Sequence, residues 1–146
     1  PIDVKMKCLS TPFHYAVDGE HINICNIVKA KGADIHHINK HGCNAFQWAA
    51  LTGSVSMLEY LSQQNLSLTI LTKNQHSLYH KIAQRGHINA FLWLQKKVCD
   101  FGPLLLPDSD GMRPHDHAKA NDHPQLADLL LGAERSCPGC STRDVL

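Results

Sequence analysis

The sequence contains no apolar run that approaches the roughly 20 residues of a membrane-spanning helix, and its 146 residues carry a net charge of only +1. A balance this close to neutral gives no overall field of the kind that drives non-specific binding to nucleic acid. We therefore expect neither membrane insertion nor nucleic-acid binding. Apolar residues make up 43% and charged residues 18% of the chain, which is an ordinary proportion for one globular domain with a sizeable core.

Recognisable catalytic motifs are also missing. The sequence contains no nucleophile elbow, no phosphate-binding loop, no paired dinucleotide glycines and no cluster of carboxylates. These are the motifs from which a catalytic or cofactor site can be recognised in a sequence. We therefore expect neither an enzymatic activity nor a cofactor. The first residue is Pro1 rather than Met, so a removed leader and a catalytic domain elsewhere in a longer protein both stay open.

The chain instead repeats one pattern every 33 residues. In the segments 10–17, 43–50 and 76–83, an aromatic residue recurs at positions 13, 46 and 79. Small or apolar pairs recur at 16/17, 49/50 and 82/83. The spacing i, i+3, i+4 is that of the apolar face of a helix, so each segment is predicted to be helical.

A second apolar stripe follows each first one. Its members are Ile24, Ile27 and Val28, then Met57, Tyr60 and Leu61, and then Ala90, Trp93 and Leu94. Turn signals at 19–21, 52–54 and 85–87 separate the two stripes of each unit. Each unit is therefore predicted to form two helices joined by a tight turn.

These motifs resemble the ankyrin repeat. The letters TPFH at 11–14 and GADI at 32–35 match the family pattern of T-P-L-H-x-A followed by G-A-D, which recurs every 33 residues. The resemblance covers nearly the whole chain and implies an all-α solenoid of about four helix-turn-helix units joined by hairpin loops. We assign residues 1–131 to a repeat domain, whose units fall at about 6–38, 39–71, 72–107 and 108–131. Residues 132–146 are assigned to a C-terminal tail.

Several positions depart from the family pattern. The fourth unit begins 36 residues after the third, and glycine and proline within 101–108 predict a longer loop there. Glu20 stands where the family usually has glycine. Asn65 and Val98 replace the glycine that ends the second helix in a left-handed conformation. Because valine does not tolerate that conformation, we expect the chain to turn differently at Val98.

Eleven histidines invite a metal-binding interpretation. Five of them fall where ankyrin repeats commonly carry histidine: His14, His21, His80, His87 and His123. For these the resemblance implies hydrogen bonding within and between units rather than metal ligation. Four more fall in the predicted hairpins, where a partner could reach them: His36, His37, His41 and His76.

The six cysteines include one chemically distinctive motif, Cys137-Pro138-Gly139-Cys140. Two thiolates at this spacing can share Zn²⁺ or form a redox disulfide. A structural zinc site needs four ligands, which His115 and His117 could complete. The simplest interpretation is a flexible tail with two free thiols and no metal, with zinc at Cys137 and Cys140 as the alternative.

The other cysteines are explained by their places in the repeat. Cys25 and Cys99 occupy apolar positions and are expected to be small buried hydrophobes. Cys8 and Cys43 precede the first helices, where they could be exposed, and nothing in the sequence pairs them. A cysteine pattern without a disulfide framework favours a reducing, intracellular setting, in a compartment that the sequence does not specify.

The family resemblance places partner-binding residues at the hairpin tips and on the exposed face of each first helix. Carried over position by position, it assigns them to Lys7, Ile38, Lys40, His41, Leu51, Thr52, Leu71, Lys73, Asn74, His76, Gln84 and Arg85. Cations outnumber acids in this set and apolar side chains lie among them, as in an interface core with a charged rim. We therefore expect a protein partner with an acidic segment, although solvated loops would have a similar composition.

The last predicted helix ends in Leu129-Leu130-Leu131, which is unusually apolar for the end of a repeat stack. Either the tail 132–146 covers these leucines or a partner binds them. The resemblance as a whole implies a protein-interaction module or an accessory subunit of an assembly. The alternatives are a zinc-binding or redox-responsive module at the CxxC motif and a non-catalytic domain of a larger enzyme.

Overall fold

The computed structural model describes residues 10–98 and 102–136, and these residues form eight α-helices, one 3₁₀ turn and no strand. The helices are α1 Pro12–Asp18, α2 Ile22–Ala30, α3 Ala45–Thr52, α4 Val55–Ser62, α5 Leu78–Arg85, α6 Ile88–Lys97, α7 Pro114–Ala120 and α8 Pro124–Ser136. The predicted all-α repeat solenoid is confirmed. Among the residues so described, no helix has the length and apolar character needed to cross a membrane.

The helices form four antiparallel pairs in chain order. The first helices begin at Pro12, Ala45, Leu78 and Pro114, which are 33, 33 and 36 residues apart. The second helices keep the same spacing. Along the stack α1, α3, α5 and α7 pack side by side as one row, and each first helix packs on the second helix of its own pair.

Local hydrogen bonds explain why the helices start where they do. The Asn44 side chain accepts a hydrogen bond from the backbone N–H of Gln47 at 3.2 Å, and thereby caps α3. At α5 the bond is reciprocal, because the backbone N–H of Ser77 donates to Nδ1 of His80 at 3.1 Å while Ser77 Oγ accepts from the His80 N–H at 3.4 Å. These caps satisfy N–H groups that a helix start leaves without partners.

The turns confirm what the sequence indicated at Asn65 and Val98. Asn65 has φ +59°, in the left-handed region that asparagine tolerates. Val98 ends α6 with φ −107° and ψ +120°, which is an extended conformation. Glu20, at the position usually held by glycine, has φ +60°.

One continuous core runs through the stack. Phe13, Phe46 and Tyr79 are fully buried at equivalent positions of the first three units. The second stripe forms the predicted helix in the first unit, but Ile24 and Ile27 are 46% and 55% exposed there. In the third unit this side of the second helix faces the preceding pair, as the 2.7 Å bond from Trp93 Nε1 to Glu59 Oε2 shows. No helix precedes α1 and α2 in the described part of the chain, so these isoleucines lack that cover.

The insertion before the fourth unit is also different from the predicted loop. Its residues Gly102–Leu105 form a 3₁₀ turn that buries Leu104 and Leu105 in the core. Ser77 Oγ donates to the Leu104 carbonyl at 2.6 Å. The added residues therefore bind the third and fourth units together rather than extending into solvent.

The last helix corrects two further expectations. Helix α8 continues to Ser136, so residues 132–136 are helical and not part of a tail. Leu130 is fully buried, and Ala133 lies in the core beside it. Leu130 therefore cannot be a partner contact, whereas Leu129 is exposed and Leu131 is half-buried.

Candidate functional site

Four side chains occupy one register on the first helices, immediately before the small or apolar pair or its equivalent. They are Tyr15, Trp48, Lys81 and His117, which are spaced like the helices themselves. None of these positions belongs to the buried core. We use the term inner face for the surface that these residues form with the neighbouring hairpins.

A groove with a volume of about 350 Å³ lies on the inner face between the second and third units. It is lined by Asn39, His41, Cys43, Trp48, Leu51, Thr72, Asn74, His76 and Lys81. Apolar, aromatic, amide and cationic groups therefore meet in one concavity, as in sites that hold a partner side chain.

Four of the predicted partner-binding residues line this groove: His41, Leu51, Asn74 and His76. Four more lie on the hairpins and are exposed: Ile38, Lys40, Leu71 and Lys73. Thr52, Gln84 and Arg85 lie at the ends of α3 and α5, where Thr52 Oγ1 donates to the Ala49 carbonyl of its own helix. Lys7 falls outside the described residues.

The sequence-based prediction missed Trp48 and Lys81. Trp48 packs edge-on against Tyr15 of the preceding unit, with ring centroids 5.3 Å apart. Lys81 occupies the same register one unit later. The 33-residue period would have identified both positions, had it been applied to the variable residue that follows the family's histidine position.

The hairpins that flank the groove are joined to one another. The backbone N–H of Lys73 donates to the His41 carbonyl at 3.0 Å, and the N–H of Ser109 donates to the Asn74 carbonyl at 3.0 Å. These bonds link the tips of three successive units. The walls of the groove are therefore held in register before any partner arrives.

The structural roles implied for several histidines are confirmed. His87 Nε2 donates to the Leu51 carbonyl of the preceding unit at 2.8 Å, and His80 Nε2 donates to the Met112 carbonyl of the following unit at 3.1 Å. Burial lowers the pKa of His80 to about 4, against the opposing effect of the Met112 carbonyl. His80 is therefore a neutral hydrogen-bonding group at neutral pH.

His14 is held in the same way at the start of the stack. Its Nδ1 accepts a hydrogen bond from the Thr11 N–H at 3.3 Å. Burial, and secondarily the charge of nearby His37, lowers the pKa of His14 to about 4. In the second unit Gln47 takes this position and donates to the Ile70 carbonyl at 3.0 Å, so an amide can replace the imidazole.

Three residues of the described chain offer ligand atoms that could hold a metal ion. The ligand atoms of His76, Asp108 and His117 all lie within 4.8 Å of one another. Burial of Asp108 favours its neutral form, but the hydrogen bonds from His117 and from the backbone of Met112 and Asp110 prevail and lower its pKa to about 2. The carboxylate is therefore charged at neutral pH.

The alternative zinc site at the C-terminus gains no support from its two histidines. His115 Nδ1 lies 2.8 Å from a carboxylate oxygen of Glu134, and His117 Nε2 lies 2.7 Å from Asp108. Both imidazoles already have carboxylate partners. Cys137 and Cys140 lie outside the described residues, as do Cys8 and Cys99.

The two cysteines within the described part of the chain are both buried. Burial raises the pKa of the Cys25 thiol to about 11, which confirms Cys25 as a small buried hydrophobe. The exposure that the sequence left open for Cys43 is not found, because the residue is only 8% exposed. Cys43 closes its hairpin by donating its backbone N–H to Asn39 Oδ1 at 3.0 Å.

Comparison with known proteins identifies ankyrin repeats in one part of the chain. A family model described as ankyrin repeats in many copies matches residues 13–61, which contain α2 and α3 and all but one residue each of α1 and α4. No curated protein matches the chain. The helix pairs after residue 61 continue the order and spacing of the matched pairs.

Proposed function

Because this chain is an ankyrin-repeat protein, we propose that it binds a protein partner through the inner face of its second and third units. Ankyrin repeats generally mediate protein–protein interactions. The groove between α3 and α5 is the observation that carries the proposal, because it combines a volume of about 350 Å³ with chemically mixed walls. The chain would then serve as an interaction module or an accessory subunit of a larger assembly.

The aromatic pair Tyr15 and Trp48 supports binding at this face. Large aromatic side chains contribute strongly to interfaces because they bury much area with little loss of conformational entropy. Tyr15 is 43% exposed although it packs against Trp48. A partner that inserts an apolar residue beside Trp48 would bury the remaining surface of the pair.

The charges around the groove support an acidic partner segment. Lys81 lines the groove, and Lys40 and Lys73 are exposed on the two hairpins beside it. Such cations attract a partner of opposite charge and set the direction in which it docks. We therefore propose a partner segment in which a large apolar residue is followed by two or more carboxylates.

Synthetic peptides test this proposal directly. The probe is a fluorescent peptide with one Leu or Phe flanked by Asp and Glu, compared with its Asn/Gln counterpart of equal length. We expect the acidic peptide to bind more tightly, and Lys81→Glu to weaken its binding by about tenfold because a like charge replaces an attractive one. Lys96→Glu is the matched control, because Lys96 is an exposed cation on α6.

A pair of leucines tests the apolar part of the surface. Leu71 and Leu92 are similarly exposed, at 38% and 44%. Leu71 lies on the hairpin between α4 and α5, beside the groove, whereas Leu92 lies on α6. Leu71→Ser should weaken peptide binding several-fold, whereas Leu92→Ser should leave it unchanged. Equal affinity for the acidic and neutral peptides, or equal effects of the two serine variants, would refute the proposed surface.

We also propose an intracellular location. The support comes from Cys25, a fully buried thiol whose pKa is raised to about 11, since a core that retains a protonated thiol suits a reducing compartment. Fractionation of cells that express the protein tests the location. Recovery of the chain from the medium with its cysteines oxidised would contradict it.

A further inference from the structure

A carboxylate and two imidazoles converge where the third and fourth units meet. Nε2 of His117 lies 2.7 Å from Oδ2 of Asp108, and Nε2 of His76 lies 3.1 Å from the same oxygen. The Asp108 side chain is 1% exposed, and the two imidazoles are 12% and 15% exposed. The carboxylate is therefore buried, while the imidazoles leave a narrow approach from solvent.

The repeat scaffold itself needs only one oxygen of Asp108. Oδ1 accepts the backbone N–H groups of Asp110 and Met112 at 2.9 and 3.0 Å and so closes the hairpin. Asn39, at the equivalent position of the second unit, closes its hairpin with the same two bonds through an amide oxygen. An amide therefore suffices to close the hairpin, and the scaffold does not need Oδ2 of Asp108.

The scaffold does not need the two histidines either. The position of His76 is occupied by Ser10, Cys43 and Met112 in the other units, and that of His117 by Tyr15, Trp48 and Lys81. The repeat therefore tolerates many side chains at both places. Three groups that the scaffold does not require thus meet at one point.

We propose that His76, Asp108 and His117 bind a divalent transition-metal ion through the two Nε2 atoms and Oδ2. Two imidazoles with one carboxylate are ligands that suit Zn²⁺ and its neighbours better than Mg²⁺ or Ca²⁺. Three protein ligands leave one position of a tetrahedral ion for water or for a group from a partner. His76 also lines the groove, so that position lies next to the surface proposed for partner binding.

The distances fit such an ion after a small adjustment. Zinc–nitrogen and zinc–oxygen bonds of about 2.0–2.2 Å place tetrahedral ligands roughly 3.4 Å apart. The observed separations of 2.7 and 3.1 Å would have to open by about 0.7 and 0.3 Å to reach it, and the ligand atoms of the two imidazoles, which lie within 4.8 Å of each other, would have to reach the same separation. Both imidazoles would present the lone pair of Nε2 and keep their proton on Nδ1.

Two neighbours set limits on the site. His80 stacks on His76 with ring centroids 5.4 Å apart, but its Nε2 donates to the Met112 carbonyl, so His80 positions the ring of His76 and is not a ligand. Burial, and after it the charges of Lys81 and His117, lowers the pKa of His76. The charge of Asp108 opposes this effect, and it is therefore the ligand on which affinity should depend most.

Zinc titration tests the site in a chain with Cys137→Ser and Cys140→Ser, which removes the other candidate ligands. Each ligand is replaced by the residue that another unit carries at the same place: Asp108→Asn, His76→Met and His117→Tyr. The measurements are calorimetry with Zn²⁺ and visible absorption with Co²⁺ as the spectroscopic probe. His36→Gln is the control, because His36 is an exposed histidine on a hairpin.

We expect one ion per chain, at least about tenfold weaker binding in each ligand variant, and no change in His36→Gln. Asp108→Asn should keep its helicity, because asparagine closes the equivalent hairpin at Asn39. If that variant nevertheless unfolds, His117→Tyr and His76→Met decide the result. The proposal is overturned if the chain binds no stoichiometric ion, if folded ligand variants retain full affinity, or if His36→Gln loses as much as they do.

Discussion

The turn at Gly53 couples the shape of one unit to a side chain of the next. Gly53 has φ +75°, and a Cβ at this position would lie 2.3 Å from Cγ and 2.4 Å from Nδ1 of His87. The His87 ring is held there because its Nε2 donates to the Leu51 carbonyl at 2.8 Å. Gly53→Ala therefore forces the ring of His87 away from this hydrogen bond.

The expected loss of stability has two parts. Alanine in the left-handed region costs about 1–2 kcal/mol, and loss of the hydrogen bond from His87 costs about 1 kcal/mol more. Gly53→Ala should therefore lower the free energy of unfolding by about 2–3 kcal/mol. Urea unfolding followed by circular dichroism at pH 7.5 measures this value.

A double-mutant cycle separates the two parts. In a His87→Ala background the ring is absent, so Gly53→Ala should cost only the backbone part, about 1–2 kcal/mol. Glu20 provides the natural comparison, because it has φ +60° and the next unit carries Ser54 in place of the histidine. Glu20→Gly should therefore raise the free energy of unfolding by about 1 kcal/mol, since it removes backbone strain and no ring is at stake.

The cycle has a clear failing outcome. If Gly53→Ala costs the same with and without the His87 ring, to within about 0.5 kcal/mol, the two residues are not coupled. The glycine would then serve the backbone conformation alone. The same conclusion would follow if Glu20→Gly and Gly53→Ala changed stability by equal and opposite amounts.

Two further variants probe the buried polar groups. Burial, and secondarily His37, lowers the pKa of His14 from 6.5 in a model peptide to about 4 in the folded chain. The unfolded chain therefore takes up a proton at higher pH than the folded chain, and stability is lost as the pH falls from about 6.5 to 4. His14→Gln, which places an amide where Gln47 already serves, should reduce this loss by up to about 3 kcal/mol in urea unfolding across that pH range; an unchanged pH profile would contradict it. Ser77→Ala removes a helix cap and the 2.6 Å bond to Leu104, so it should lower the free energy of unfolding by about 2 kcal/mol, and a loss below about 0.5 kcal/mol would show that neither bond matters.

The sequence predicted the repeat because its signal is local and recurs. Aromatic positions 13, 46 and 79 and the left-handed turn at Asn65 depend on residues within one unit. The exposure of Ile24 and Ile27 could not be predicted in this way, because the cover of a second helix comes from the preceding pair. The stripe is therefore buried throughout in the third unit, whereas Ile24 and Ile27 of the first unit are exposed.

The insertion before the fourth unit also shows that local composition does not determine burial. Glycine and proline within 101–108 correctly predicted a break in the helices, but composition does not say which way a segment faces. Leu104 and Leu105 are buried in the core, and Ser77, which caps α5, donates to the Leu104 carbonyl. That partner lies 27 residues away, beyond the reach of any local pattern.

The candidate site could be predicted only as far as the family pattern specifies it. His41, Leu51, Asn74 and His76 were predicted from that pattern as partner-binding residues, and the structure brings these four together in one groove. Trp48 was missed because the pattern assigns no role to its position. Positions that a repeat leaves unassigned are those at which one unit can differ from another without loss of the fold.

This distinction also determines which variants can separate the two proposals. His76 lines the groove and lies 3.1 Å from Asp108, so its replacement should weaken both the peptide and the metal ion and cannot tell one role from the other. Asp108 is buried and does not line the groove, so Asp108→Asn removes a ligand without removing a groove wall. Leu71→Ser acts on the hairpin surface and leaves the three metal-binding side chains in place. If Asp108→Asn abolishes metal binding but spares the peptide, and Leu71→Ser does the reverse, the two sites are separate functions that share one wall at His76.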